Sequence, residues 1–248
     1  MNPSYTTSVH YEHIHVALQS FWGPFNDLLD EMATFKPRPL SDFDGERQSL
    51  YDHLRNLNPT ISDAELWSHA DSQIKSGNSD YWQFQSLFSK RFMTMYVTNT
   101  LLSHALCEAE INAFLAVGLF EKGLANEFAK IERNGLRSKW LNGPTKYCPQ
   151  YVLDKNSALY ETLDHLCNQR NSWMHHKSEL YTDEKKIIEG SELLMRPYLE
   201  DARWLMRFFS LPYDLAQHLH AYAPSGVVAM MFFKRAPIAI AVEHKQSI

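Results

Sequence analysis

The sequence is poor in the features that fix a scaffold covalently. It has only three cysteines, Cys107, Cys148 and Cys167, widely spaced and without a CxxC pair, so neither a disulfide framework nor a zinc knuckle is indicated. A reducing cytoplasm is the expected compartment. Glycine is scarce at 9 residues in 248, and no phosphate-cradling glycine loop, dinucleotide fingerprint or nucleophile elbow occurs. Positive charge is not in surplus either: 24 Lys and Arg stand against 29 Asp and Glu, a formal net charge of -5. Such a chain has no field to draw nucleic acid or anionic lipid non-specifically, so any nucleic-acid contact must be local. Nowhere do about 18 apolar residues run uninterrupted, and MNPSYTTSVHYEHIH lacks a basic segment followed by an apolar one. Neither a membrane span nor a signal peptide is expected.

What the chain does have is 12 histidines, 13% aromatic residues and 44% hydrophobic residues. That composition excludes disordered and fibrous classes and suits packed helices. Strand-like alternation is scarce, while apolar residues recur at spacings of three and four, the period of amphipathic helices. An all-α protein is expected, with helices near Ser8–Phe35, Asp44–Leu57, Ser62–Ser76, Trp82–Lys122, Glu127–Trp140, Ser157–Met174, Thr182–Met195 and Pro197–Phe209. Ser62 followed by Glu65 has the form of a capping box, so a helix should start there. Pro197 should kink a helix or separate two. The expected organisation is an N-terminal helical extension over 1–81 packed on the core, a helical bundle over 82–210 and a C-terminal tail over 211–248. Within that tail the apolar run GVVAMMFFKRAPIAIAV, from Gly226 to Val242, must be covered by the helices or by a second subunit.

The segment richest in chemistry is ALYETLDHLCNQRNSWMHHKSE, from Ala158 to Glu179. Leu159, Leu163, Leu166 and Met174 follow one helical face, and Arg170 falls within that stripe. A guanidinium there is costly to bury unless a carboxylate or a bound anion offsets its desolvation. A structural ion pair between helices is one account of it. The neighbours supply another: Asn171, His175, His176 and Lys177 follow within two turns, all compatible with phosphate. On an ideal helix Arg170 and His175 point about 140° apart. Either the helix bends or ends near Trp173, or a working site joins residues of two chains.

Arg170, a polar Asn171 and then His175 resemble the R-x4-6-H motif of the HEPN superfamily (higher eukaryotes and prokaryotes nucleotide-binding). HALCEAEINAFLAVGL (His104 to Leu119), with Glu108 and Asn112 four apart, is similar to the early HEPN helix. LRSKWL (Leu136 to Leu141), a polar loop and the helix leading into RNSWMHH repeat the order seen in that superfamily. The likeness covers roughly Trp82 to Phe209. It implies a helical bundle of HEPN type with extra N-terminal helices, dimerising through the motif helix, and a metal-independent endoribonuclease without cofactor. In the implied chemistry an RNA 2′-hydroxyl attacks the adjacent phosphate, His175 acts as general acid or base, Arg170 stabilises developing charge and Asn171 orients a phosphoryl oxygen. His176 and Lys177 would contact substrate. A toxin, stress or antiviral defence setting with a cognate antitoxin or regulator is also implied. Lys177 stands where the subgroup modified by a nucleotidyltransferase carries Tyr, so that form of regulation is not expected. The alternative is a non-catalytic HEPN dimerisation or nucleotide-binding scaffold.

Glu108 and Asn112 share the stripe of Leu101, Ala105, Leu115 and Leu119, so both should face the bundle interior, with Glu108 pairing Arg170. Elsewhere, His10, His13 and His15 form HxxHxH with Glu12 close by but no cysteine to complete a tetrahedral set, and they are expected as polar surface histidines. His218 and His220 diverge on a helix. Lys130, Arg133, Arg137 and Lys139, like Arg203 and Arg207, are expected on solvated faces, where RNA backbone would bind if the protein cuts RNA. The six tryptophans are expected as core or interface anchors.

Overall fold

A computed structural model describes residues 8–174 and 199–222. The chain is all-α: no strand occurs among the described residues. The helices are α1 (Ser8–Ala33), α2 (Asp44–Leu57), α3 (Asp63–Gly77), α4 (Asp80–Glu121), α5 (Ala125–Glu132), α6 (Leu136–Asn142), α7 (Ala158–Met174) and α8 (Leu199–His220). Short 3-10 turns occupy Leu40–Phe43 and Pro144–Lys146. No described helix is long and apolar enough to cross a membrane.

The expected start of α3 is present in full. Ser62 Oγ accepts from the Glu65 amide, and Glu65 Oε2 accepts from the Ser62 amide, each at 3.3 Å, so two amide groups at the helix end are satisfied reciprocally. Two elements differ from their sequence-derived ranges. The single helix expected over Glu127–Trp140 is two, because Gly135 adopts an extended backbone, φ -62° and ψ 151°, between α5 and α6. The helix expected to end at Phe209 continues through Pro212 to His220. Leu215 and Leu219 on its last turns are buried at 0% and 2% exposure, and burial of such side chains offsets the roughly 3 kcal/mol that an interior proline costs. The expected helix at Thr182–Met195, Pro197 and the apolar run Gly226–Val242 lie outside the described residues.

The described chain divides into two compact units. One comprises 8–25, 94–174 and 199–222. Its core is built from Leu106, Ile111 and Leu115 of α4, Trp140 of α6, Leu163 and Leu166 of α7, and Leu205, Phe208 and Phe209 of α8. Trp22 of α1 meets Phe209 edge-on at 5.0 Å, and His15 meets Tyr213 in the same way at 5.6 Å. His15 is therefore buried within the helical core, and among the described residues no group of three or more His, Cys, Asp or Glu side chains is placed to hold a metal ion.

The other unit comprises 26–93. There Trp67 is sandwiched between Tyr51, stacked at 4.1 Å, and the Arg47 guanidinium, which also pairs with Asp71. Phe35, Phe84 and Phe88 form an aromatic cluster. The boundaries between the units fall inside α1, just past Gly23 and Pro24, and inside α4 between Met93 and Thr94, where no breaker residue marks it.

Candidate functional site

The geometry of the candidate site depends on how closely α6 lies against α4. A Cβ on Gly143, at the end of α6, would stand 2.5 Å from the Lys139 carbonyl and 2.9 Å from Leu115 Cδ1. Only a residue without one fits this approach. Trp140, fully buried, donates its indole N–H to the Cys107 carbonyl at 3.2 Å and fixes the two helices together. These contacts place Lys139 against α4. Its side chain is 1% exposed, and its ammonium meets Glu108 Oε1 at 2.7 Å.

α7 supplies the facing wall. Leu163, Leu166 and Cys167 continue its buried stripe at 0%, 0% and 5% exposure, and Arg170, one turn further, is half-buried where the stripe meets an open cavity of about 380 Å³. His104 and Glu108 from α4, Arg137 from α6, and Cys167, Arg170 and Asn171 from α7 all line this cavity.

The charges around it can be paired off. Arg137 contacts Asp164 Oδ1 at 2.7 Å and donates to the Asp164 carbonyl and to Asn168 Oδ1. Lys139 is neutralised by Glu108. Arg170 has no carboxylate partner among the described residues; one guanidinium nitrogen donates to Asn171 Oδ1 at 3.1 Å, leaving four of its five N–H donors without a described partner. Among the described residues three cations face two carboxylates, so the cavity carries one uncompensated positive charge, that of Arg170.

Two groups in the wall are held neutral. Burial lowers the His104 pKa below its ordinary value of 6.5; Glu108 opposes the shift, and Arg170 and Lys139 add to it. Burial pushes the Cys167 thiol up to about 11, which keeps it protonated and unsuited to act as a nucleophile near neutral pH. A guanidinium without a carboxylate partner among the described residues, beside a neutral imidazole, can hold an oxyanion while the imidazole accepts a proton from a neighbouring hydroxyl.

The sequence-derived site residues are distributed as follows. Arg170, Asn171 and Glu108 come together at the cavity. Glu108, expected inside the bundle and paired with Arg170, instead has a side chain 41% exposed on the cavity wall and pairs with Lys139; the carboxylate that α4 buries is Glu110, at 3% exposure. Asn112 does not line the cavity, and its Oδ1 is buried without a hydrogen-bond partner. His175, His176 and Lys177 lie outside the described residues.

Other groups also differ from expectation. Lys139 is buried and Arg137 is engaged by α7, so neither stands on a solvated face; Arg133 and Arg203 are exposed as expected. Trp82 is 40% exposed and is not a core anchor.

Sequence reasoning passed over His104. Its signal was present: it stands four residues before Glu108, on the same helical face. Comparison with protein-family models, with curated proteins and with solved structures finds no match.

Proposed function

We propose that the chain is a HEPN-type endoribonuclease that cleaves RNA by attack of a 2′-hydroxyl on the adjacent phosphate, without a metal ion. The observation that carries this reading is Arg170, a guanidinium without a carboxylate partner among the described residues, on the wall of an open cavity with Asn171 beside it. A phosphodiester supplies the missing negative charge. The planar fork of Arg170 matches two phosphoryl oxygens and gains strength as charge develops on them in the transition state. Asn171 is oriented by Arg170 and offers its amide N–H group to the same oxygens. The resemblance gives His175 the role of general acid or base, with His176 and Lys177 as candidates for substrate contact.

The reading includes a homodimer through the motif helix, which would repeat the cavity on each side of the interface, and the cytoplasmic, defence-related setting, with a cognate antitoxin, that the resemblance implies. An acidic chain must gather its positive charge locally to hold RNA, and this cleft is such a place. Incubation of the protein with single-stranded RNA in EDTA tests the proposal. Wild type is expected to leave 2′,3′-cyclic phosphate ends, and folded His175→Ala to be strongly impaired. Nucleotide binding without cleavage by wild type would favour the scaffold alternative instead.

A further inference from the structure

Resting on that reading, the geometry points to His104 as a catalytic residue of the same site, the base that accepts the 2′-hydroxyl proton. No motif marks this residue; its position does. His104 stands on α4 one turn before Glu108 and lines the cavity across from Arg170 and Asn171 of α7. A phosphate held by Arg170 therefore brings its neighbouring ribose toward a half-buried imidazole.

The groups that face His104 come from three helices: Glu108 on α4 itself, Arg137 and Lys139 on α6, and Arg170 with Cys167 on α7. Glu108 accepts from Lys139 through Oε1 alone, but a carboxylate is a weaker base than an imidazole, and Arg137 is engaged by Asp164. Cys167 is a protonated thiol. Among the described wall residues, His104 is thus the group with a free lone pair suited to take a proton near neutral pH, and burial keeps it in that neutral form.

The step balances. The 2′-oxygen forms a bond to phosphorus as its proton passes to His104, and the bond from phosphorus to the 5′-oxygen breaks. That oxygen takes a proton from water. The products are a 2′,3′-cyclic phosphate and a 5′-hydroxyl, and His104 returns its proton to solvent to restore the starting state. Lys139, 1% exposed, engages one carboxylate oxygen of Glu108 from behind the cavity wall. It positions Glu108 and does not touch substrate.

The test measures kcat/KM against pH on labelled single-stranded RNA in EDTA, for wild type, Arg170→Ala, His104→Gln and His104→Ala with and without added imidazole. Melting curves establish that each variant is folded. His104→Ala is expected to lose at least about 100-fold, imidazole diffusing into the cavity to restore a substantial part of it, and His104→Gln to lose the acid limb of the profile. A structural role would not produce rescue by a free base. If Arg170→Ala is inert while His104→Ala stays within about threefold of wild type, the ribonuclease reading stands and the role of His104 is wrong. That role is equally overturned if His104→Ala is inert, imidazole does nothing and His104→Gln keeps the wild-type pH profile. If wild type itself cleaves no RNA, both proposals fall together.

Discussion

Lys139 meets Glu108 at 2.7 Å from a position that is 1% exposed, so a buried ammonium of α6 is held by a carboxylate that stands on the cavity wall. The two ends of this pair differ in environment, and their removal should differ in consequence. Glu108→Ala strands the buried ammonium and is expected to cost about 2–3 kcal/mol, whereas Lys139→Met leaves a half-exposed carboxylate that water can solvate and should cost less than about 1 kcal/mol. Urea unfolding of the two variants checks the asymmetry. Equal losses would mean that the pair does not carry the burial cost of Lys139.

The approach of α6 to α4 is set at Gly143. Its backbone angles suit any residue, so the constraint is space: an added methyl group meets Leu115 Cδ1 of α4 at 2.9 Å and, within α6 itself, the Lys139 carbonyl at 2.5 Å. Gly143→Ala is expected to destabilise by about 2 kcal/mol and to loosen the Lys139–Glu108 pair. Thermal melting reads the first effect. A melting temperature equal to wild type would show that the helices part without cost.

Asn112 buries an amide oxygen without a partner among the described residues. Such a group costs stability, and Asn112→Leu removes it at similar volume. The expected change is a gain of about 1 kcal/mol, read as a higher denaturant midpoint. A loss of the same size would show that the amide is satisfied in solution.

His104 and His165 are both held below their ordinary values by burial, His165 while stacked on Trp204 at 3.9 Å. The unfolded chain then binds protons more readily than the folded one, so stability is full above the ordinary histidine value and is lost as pH falls through the lowered ones. The melting temperature is expected to decline from about pH 7.5 to about pH 5, and His104→Gln to show a shallower decline. Identical slopes would contradict the burial of His104.

Much of the fold was legible because it follows from apolar spacing and capping. α2 is where its pattern places it, and the Ser62–Glu65 box marks α3 by local hydrogen bonding alone. The break at Gly135 was less visible, since a single glycine within helical spacing does not announce an extended backbone. Continuation of α8 past Pro212 was hidden because burial of Leu215 and Leu219, a tertiary effect, outweighs the local cost of proline.

The site was legible in part for the same reason. Arg170 was conspicuous as a cation on an apolar stripe. The partner of Glu108 was not, because Lys139 reaches it only through packing that brings α6 onto α4, and a lysine in a basic run looks solvated until that contact is known. His104 was passed over because its one sequence signal, the spacing of four to Glu108, gains meaning only once α6 and α7 enclose a cavity beside them.

Arg170 is the centre of the account, and RNA cleavage in EDTA by wild type, Arg170→Ala and Arg170→Lys tests it most directly. Wild type is expected to cut, Arg170→Ala to lose about 100- to 1,000-fold while still folded, and Arg170→Lys to recover only part of that loss because an ammonium cannot reproduce the planar fork. Cleavage by Arg170→Ala at the wild-type rate, or no cleavage by wild type, would contradict the account.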